Sequence, residues 1–215
     1  MELLEEIISS RRVGYRRTDP NRGGWEDMGI EKALQQPSLL LRYKKTMQFI
    51  LQSTEIEVLQ KAKILDTGEF NPLSQWLKDK YNIHVNNTDP DLDFDYAYNE
   101  KNITEKYDFI FAFEILEHLM NPLVFVEFLN RSLKDDGRIF MSTPFSRPRF
   151  LWSKYHFTEY FPDKIEILAN KAGLQVKRYA VKKVYAYRSA LMGIRPIFRA
   201  LRFERIMFFE MEKMR

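Results

Sequence analysis

Three histidines and no cysteine bound the chemistry open to this 215-residue chain. Without a thiol there is no thiolate nucleophile, no cysteine-ligated zinc and no disulfide, and the redox compartment is unreadable. The candidates for proton transfer near neutral pH are then His118, in FEILEHL, and His156, in YHFTEY, each with a structural role as its alternative. His84, inside the run IHV, reads as structural. Glu117, His118 and His156 together are a conceivable metal set. Side chains of adjacent residues leave a helix or strand in different directions, however, so no metal site is expected. Carboxylates gather in the segment ILDTGEFNPLSQWL, with Asp66, and in the run DPDLDFD, with Asp89, Asp91, Asp93 and Asp95. The first of these is a strand-to-helix turn. Asp66 ends the strand, Gly68 permits a close backbone approach, and the helix starting near Pro72 presents the positive end of its dipole to an anion. An ordinary turn in which Asn71 and Pro72 cap the helix fits the same letters. Solvated acidic turns are the alternative for Asp93 and Asp95, and a calcium loop is disfavoured because the EF-hand glycine and terminal glutamate are missing.

The elements that must position these residues are legible. Residues 107–113 are a continuous apolar run of β-formers, the pattern of a strand buried on both faces of a sheet. Asn121-Pro122 opens a helix with proline where its missing N–H costs nothing. Its stripe is Leu123, Val126, Leu129 and Leu133, flanked by Phe125 and Phe128. Asp136-Gly137 is expected to stop that helix, with a strand over 138–143. Upstream, helices are predicted over 2–10 and 37–60, strands over 62–67 and 83–88, and a helix over 72–80. Downstream come a helix over 162–171 and strands over 174–184 and 205–213, with a short basic helix between the two strands. Alternating strands and helices argue for an α/β fold with a largely parallel sheet. The ligand of such a sheet sits beyond the carboxyl ends of its strands, which points to the loop after the first strand.

The order YDFIFAFEILEHL…LKDDGRIFMSTP resembles the fourth and fifth strands of class I S-adenosylmethionine-dependent methyltransferases of the small-molecule type. The resemblance covers about residues 63–184 and is strongest over 106–144. It implies an α/β, Rossmann-like class I methyltransferase fold: a mostly parallel sheet with an antiparallel C-terminal edge hairpin and an N-terminal helical cap. Residues 1–60 would be the cap or substrate lid and 61–215 the Rossmann-like domain, with an insertion at about 186–204. It also implies S-adenosyl-L-methionine as cofactor, held by Asp66, Thr67, Gly68, Glu69, Phe70 and Asn71, by Asp89 and Asp91, and by Phe113 and Glu114. Asp89 would take the ribose hydroxyls, each charge-assisted bond worth about 1.5–3 kcal/mol. His118 and His156 would face the acceptor, either as base or in contact. The chain departs from the family in two respects. Only Gly68 matches the glycine-rich pattern D-x-G-x-G-x-G, since Phe70 and Pro72 occupy the other glycine positions. The interval from Asp66 to Asp108 is also short, as if one strand or helix were lost or shrunken, and the alternative for DPDLDFD, with Asp91, Asp93 and Asp95, is then the loop after a third strand, which in the family meets the adenine.

The expected activity is methyl transfer to oxygen or nitrogen of a small polar acceptor, such as a sugar or glycolipid precursor. A fold that has lost its cofactor and serves as a binding or scaffold module is the alternative. The cluster Arg11, Arg12, Arg16, Arg17 and Arg22 suits a phosphorylated or acidic acceptor, or else a solvated basic tail. Ile194, Ile197, Phe198 and Leu201 with Arg195, Arg199 and Arg202 suit either a membrane surface or a lid packed on its own domain. Tyr185, Tyr187 and Trp152 are candidates to line the acceptor pocket. With 34 basic against 30 acidic residues the net charge of +4 is too small to implicate nucleic acid, and no base-reading motif stands out. No basic leader precedes the first apolar stretch and no apolar run approaches the ~20 residues of a membrane span, so a cytoplasmic protein is expected.

Overall fold

Strands and helices alternate along the chain as α1 (Ile30–Leu34), α2 (Pro37–Ile50), α3 (Ile56–Lys61), β1 (Ile64–Asp66), α4 (Pro72–Tyr81), β2 (Asn86–Asn87), β3 (Tyr107–Phe113), α5 (Pro122–Ser132), β4 (Leu133–Pro144), α6 (Pro162–Lys171), β5 (Leu174–Lys183) and β6 (Arg205–Lys213). The structure, a computed structural model, describes residues 29–88, 92, 94, 95, 105–146, 156–184 and 205–215. The expected helix over 2–10, the arginine cluster 11–22, Asp89, Asp91, Asp93, Trp152, Tyr185, Tyr187 and the insertion 186–204 lie outside the described residues. Proline stands in the first turn of α2, α4, α5 and α6, where its fixed φ is helical and no N–H is needed.

The strand order is β2-β1-β3-β4-β6-β5. β2, β1, β3 and β4 run parallel, while β6 lies antiparallel to both β4 and β5. This is the Rossmann-like methyltransferase sheet expected, mostly parallel with an antiparallel C-terminal pair. Alternation along the strands sends successive side chains to opposite faces. Ile64, Phe109, Phe111, Phe140 and Phe208 pack with Tyr43, Met47, Phe49 and Ile50 of α2 and with Trp76 and Leu77 of α4. Leu65, Ile110, Ala112, Ile139, Met141, Met207 and Phe209 pack with Phe125, Val126, Phe128 and Leu129 of α5 and with Ile165 and Ala169 of α6. Helix α2 therefore shares a core with the sheet across the boundary expected near residue 60.

Three of the differences from the sequence reading have a plain physical reason. The helix expected over 37–60 is two, α2 and α3, because the turn between them is held by arginines from the sheet. Arg178 Nη2 donates to the Phe49 carbonyl at 2.9 Å and to Ser53 Oγ at 3.1 Å, and Arg138 Nη1 donates to the Ser53 carbonyl at 2.5 Å. Both arginines also pair with the buried Glu210, at 2.6 Å for Arg178 and 3.4 Å for Arg138. Next, α5 stops at Ser132 instead of Gly137, since Leu133 turns extended at φ −86° and ψ 139° and is wholly buried beside Tyr107. The register then shifts between Tyr107 and Phe109, so that Lys134, Asp135 and Asp136 bulge into solvent. Last, of the strand expected over 83–88 only Asn86 and Asn87 pair, with Leu65 and Asp66; Ile83 instead fills the core beside α4.

Gly137 is the point where the bulge rejoins the sheet. A Cβ there would lie 2.7 Å from Leu133 Cδ1 and 3.0 Å from the Asp108 carbonyl oxygen. Gly137→Ala is expected to destabilise the fold by about 1–3 kcal/mol, the usual cost of overpacking, measured by urea denaturation. An unchanged midpoint would show that this turn has room the structure does not give it.

Candidate functional site

Asp66 ends β1 with its side chain buried, 3% exposed. Its Oδ2 accepts from Asn71 Nδ2 at 2.9 Å, Ser74 Oγ at 3.0 Å and Asn87 Nδ2 at 3.5 Å. One carboxylate oxygen thus joins the end of β1, the start of α4 and the end of β2. Burial raises the Asp66 pKa to about 6 against the pull of those three donors. Asn71 also caps α4: its Oδ1 accepts from the N–H of Leu73 at 2.9 Å and of Ser74 at 3.2 Å. The capping alternative read in the sequence is therefore what the helix start does. An anion here meets the helix dipole and the loop in front of it, with two first-turn N–H groups already engaged.

The loop itself is pinned to β2. Gly68 N donates to Thr88 Oγ1 at 2.8 Å, and Thr88 N donates back to the Gly68 carbonyl at 3.1 Å. Gly68 sits at φ +126°, a conformation that L side chains rarely adopt, and a Cβ built on it meets nothing within 4 Å. Its outer face is open. The bulky Phe70 does not close it, being 47% exposed. Thr67 points into the sheet, its hydroxyl donating to the Phe111 carbonyl at 3.0 Å, and the Glu69 carbonyl accepts from Asn71 and Asn87. Of the acidic run, Asp95 is described, and it is no solvated turn. It is buried, and its Oδ1 accepts from the Asn121 N–H at 2.7 Å at the head of α5, while Phe94 packs on Phe125 and Phe128.

At the end of β3 the chain passes through Phe113 into Glu114, which stands at φ +57°. A left-handed non-glycine residue costs of order 1–3 kcal/mol and persists only where its surroundings hold it. Here Glu114 N donates to the Ser142 carbonyl at 2.9 Å, Ser142 Oγ donates to Oε1 at 2.8 Å, and Arg42 of α2 reaches Oε2 at 3.4 Å. A 3₁₀ turn, Leu116–His118, follows. It brings Glu117 Oε1 and His118 Nε2 to 3.8 Å, so the expectation that these neighbours diverge fails: the tight turn overrides helix or strand geometry. Glu117 is buried and its Oε2 accepts from Thr143 Oγ1 at 3.1 Å. Burial foremost, and then the charge of Glu114, hold its carboxyl well above the usual carboxylate range. His156 arrives from the segment before α6, its ring perpendicular to that of His118 with centroids 5.0 Å apart, and its Nδ1 lies 3.0 Å from the buried Glu159. The two imidazoles named from sequence are therefore neighbours. Arg42, Ser74, Asn87, Thr88, Ser142, Thr143 and Glu159 were not singled out. Only Glu159 carried a signal, standing three residues after His156.

A family model described as a methyltransferase domain matches residues 29–206. The chain belongs to that family, and it is a class I S-adenosylmethionine-dependent methyltransferase. Solved structures share the fold at low identity. A Haloferax volcanii complex between the Trm112 methyltransferase activator and a methyltransferase matches at 13% identity and a TM-score of 0.58, over 80% of this chain and 91% of that one. Magnesium protoporphyrin IX methyltransferase from Synechocystis, with bound S-adenosylhomocysteine, matches at 10% and 0.52, over 82% and 85%. A Haemonchus contortus phosphoethanolamine N-methyltransferase, with phosphomonomethylethanolamine and S-adenosylhomocysteine, matches at 11% and 0.54, over 80% of this chain and 53% of that one. No curated protein matches the chain. S-adenosylmethionine is the cofactor. The loop leaves room for it, since the space in front of Gly68 is open and any side chain at that position would enter it. Among the described residues no helix is long and apolar enough to cross a membrane.

The raised pKa of Asp66 makes stability depend on pH. Folded Asp66 holds its proton more tightly than the unfolded carboxyl at 3.8, so its contribution is full below that value and is lost as pH rises through about 6. Between about pH 4 and pH 7 the cofactor-free wild type should lose up to about 3 kcal/mol relative to Asp66→Asn, whose amide oxygen can take the place of Oδ2. Parallel chemical denaturation at a series of pH values reads the difference. Curves of equal slope for the two proteins would mean that Asp66 titrates as an exposed carboxylate does.

Proposed function

We propose that the protein transfers the methyl group of S-adenosylmethionine to oxygen or nitrogen of a small polar, acidic or phosphorylated acceptor of the sugar or glycolipid-precursor kind. The observation that carries this reading is the pairing of His118 and His156 beside the end of β3, next to Glu114 in its left-handed turn. When bound, the cofactor supplies a methyl group on a sulfonium, already a good leaving group, so alignment is most of the catalysis. Asp66, Gly68, Glu69 and Asn71 would hold its amino-acid end, with Thr67 and Phe70 beside them. Asp89 and Asp91 would serve its ribose and adenine, while Phe113 and Glu114 would flank the reacting centre. An acceptor hydroxyl must lose a proton as its oxygen attacks, and an imidazole near neutral pKa suits that task. Residues 1–60 would act as the lid over a catalytic unit of 61–215 with its insertion near 186–204. Arg42, bonded to Glu114, supports that arrangement by tying the N-terminal part to the reacting end. The arginine cluster 11–22 would meet the acceptor's charge.

The test is release of S-adenosylhomocysteine from S-adenosylmethionine with a panel of sugar phosphates, hydroxy acids and primary amines. At least one acceptor class should stimulate release, and His118→Ala should lower kcat/KM for it by ~10²-fold or more, the usual size of a general acid–base effect. A stimulated rate unchanged in both His118→Ala and His156→Ala would remove the histidines from the reaction.

A further inference from the structure

We propose that Glu117, His118 and His156 form a binding site for one divalent first-row transition-metal ion, with Zn²⁺ the best match. One ligating atom from each of the three residues lies within 4.8 Å of the other two. Two nitrogens and one oxygen around a tetrahedral Zn²⁺ at ~2.0–2.2 Å stand about 3.4 Å apart, so small side-chain rotations close the set. The donor types select the ion: imidazoles favour Zn²⁺ and its transition-metal neighbours, whereas Mg²⁺ and Ca²⁺ prefer all-oxygen sites.

The surroundings match what metal-bound residues require. A ligating histidine usually gives its other ring nitrogen to a carboxylate, which fixes the tautomer and the ring. His156 meets Glu159 in this way at 3.0 Å through Nδ1, which leaves Nε2 for the ion, and the Glu159 side chain is fully buried. Glu117 is likewise oriented, since Thr143 Oγ1 holds its Oε2 at 3.1 Å while Oε1 is the oxygen nearer His118, at 3.8 Å. A buried carboxylate beside two imidazoles has a strong reason to be there if a cation neutralises it. The His118 side chain keeps 25% of its surface and that of His156 11%, so the fourth position faces outward to water or to an acceptor oxygen. Three protein ligands with one open position is the arrangement of a catalytic rather than a structural site. The inference deepens the methyltransferase reading by changing the part of His118 and His156 from base to ligands of a Lewis acid that would acidify the acceptor hydroxyl, and the ion's binding is measured without cofactor, so either can fail alone.

The experiment uses the tag-free 215-residue chain, stripped with chelator and titrated with Co²⁺ while the visible d–d absorption is recorded. One Co²⁺ should bind per chain, and Zn²⁺ should bleach the signal by displacing it. His118→Ala and His156→Ala should each weaken Co²⁺ binding by tenfold or more, and Glu159→Gln by a smaller factor. His84→Ala, on the exposed histidine outside the cluster, should change nothing. Because the chain has no cysteine, His118→Cys gives a direct readout: a thiolate-to-cobalt charge-transfer band appears only if position 118 is a ligand. Absence of that band in folded His118→Cys, or Co²⁺ binding that survives loss of both His118 and His156, would overturn the proposal.

Discussion

A single buried carboxylate oxygen sets the geometry of the cofactor end. Asp66 Oδ2 gathers Asn71, Ser74 and Asn87, which belong to the loop, the helix and the neighbouring strand around the carboxyl end of β1. Asn71 and Asn87 also donate to the Glu69 carbonyl, and Asn87 to Ser74 Oγ, so the donors are tied to one another as well as to the carboxylate and the cluster is costly to disturb from any side. The carboxylate is itself costly, as its raised pKa shows. Its place is held by the three donors that face it. With that point fixed, Gly68 is carried out beyond the strand with its open face outward, and Thr88, the residue after β2, clamps it through two hydrogen bonds.

The reacting end depends on a second fixed point. β3 lies between β1 and β4, covered by α2 and α4 on one face and by α5 on the other, so its last residues cannot drift. That rigidity sustains the left-handed Glu114, held through Ser142 on β4 and Arg42 on α2. The 3₁₀ turn that follows delivers Glu117 inward and His118 to the rim. The N–H of Phe157 donates to the Glu117 carbonyl at 2.9 Å, which docks the segment carrying His156 against the same turn. The two histidines meet because both of their segments are tied to one residue's main chain.

Much of this was legible in the chain. Residues 107–113 form β3 as read, and the helix over 162–171 and the strand over 205–213 have the expected limits. Their signals are local: apolar runs of strand length, and proline opening a helix. What escaped depended on distant partners. No local pattern shows that arginines 138 and 178, some 85 to 129 positions away in sequence, would close α2. Nor does one show that Leu133, a fitting helical residue, would be worth more buried in the sheet. Asp95 looked solvated because its neighbours are acidic, yet Phe94 anchors the turn in the α5 core and draws it under. Departures from the glycine pattern were legible as letters but not as geometry. Phe70 lies aside, and Pro72 starts a helix that Asn71 caps.

The account's central claim is that the loop around Gly68 still holds S-adenosylmethionine although only one glycine of the pattern remains. Calorimetric titration with S-adenosylhomocysteine tests it most directly, on the wild type and on Gly68→Val, a branched side chain placed in the open face at a backbone angle it rarely adopts. The account predicts saturable binding of one ligand per chain and at least a tenfold weakening in the folded variant. No heat of binding at millimolar ligand, or equal affinity in the two proteins, would contradict it.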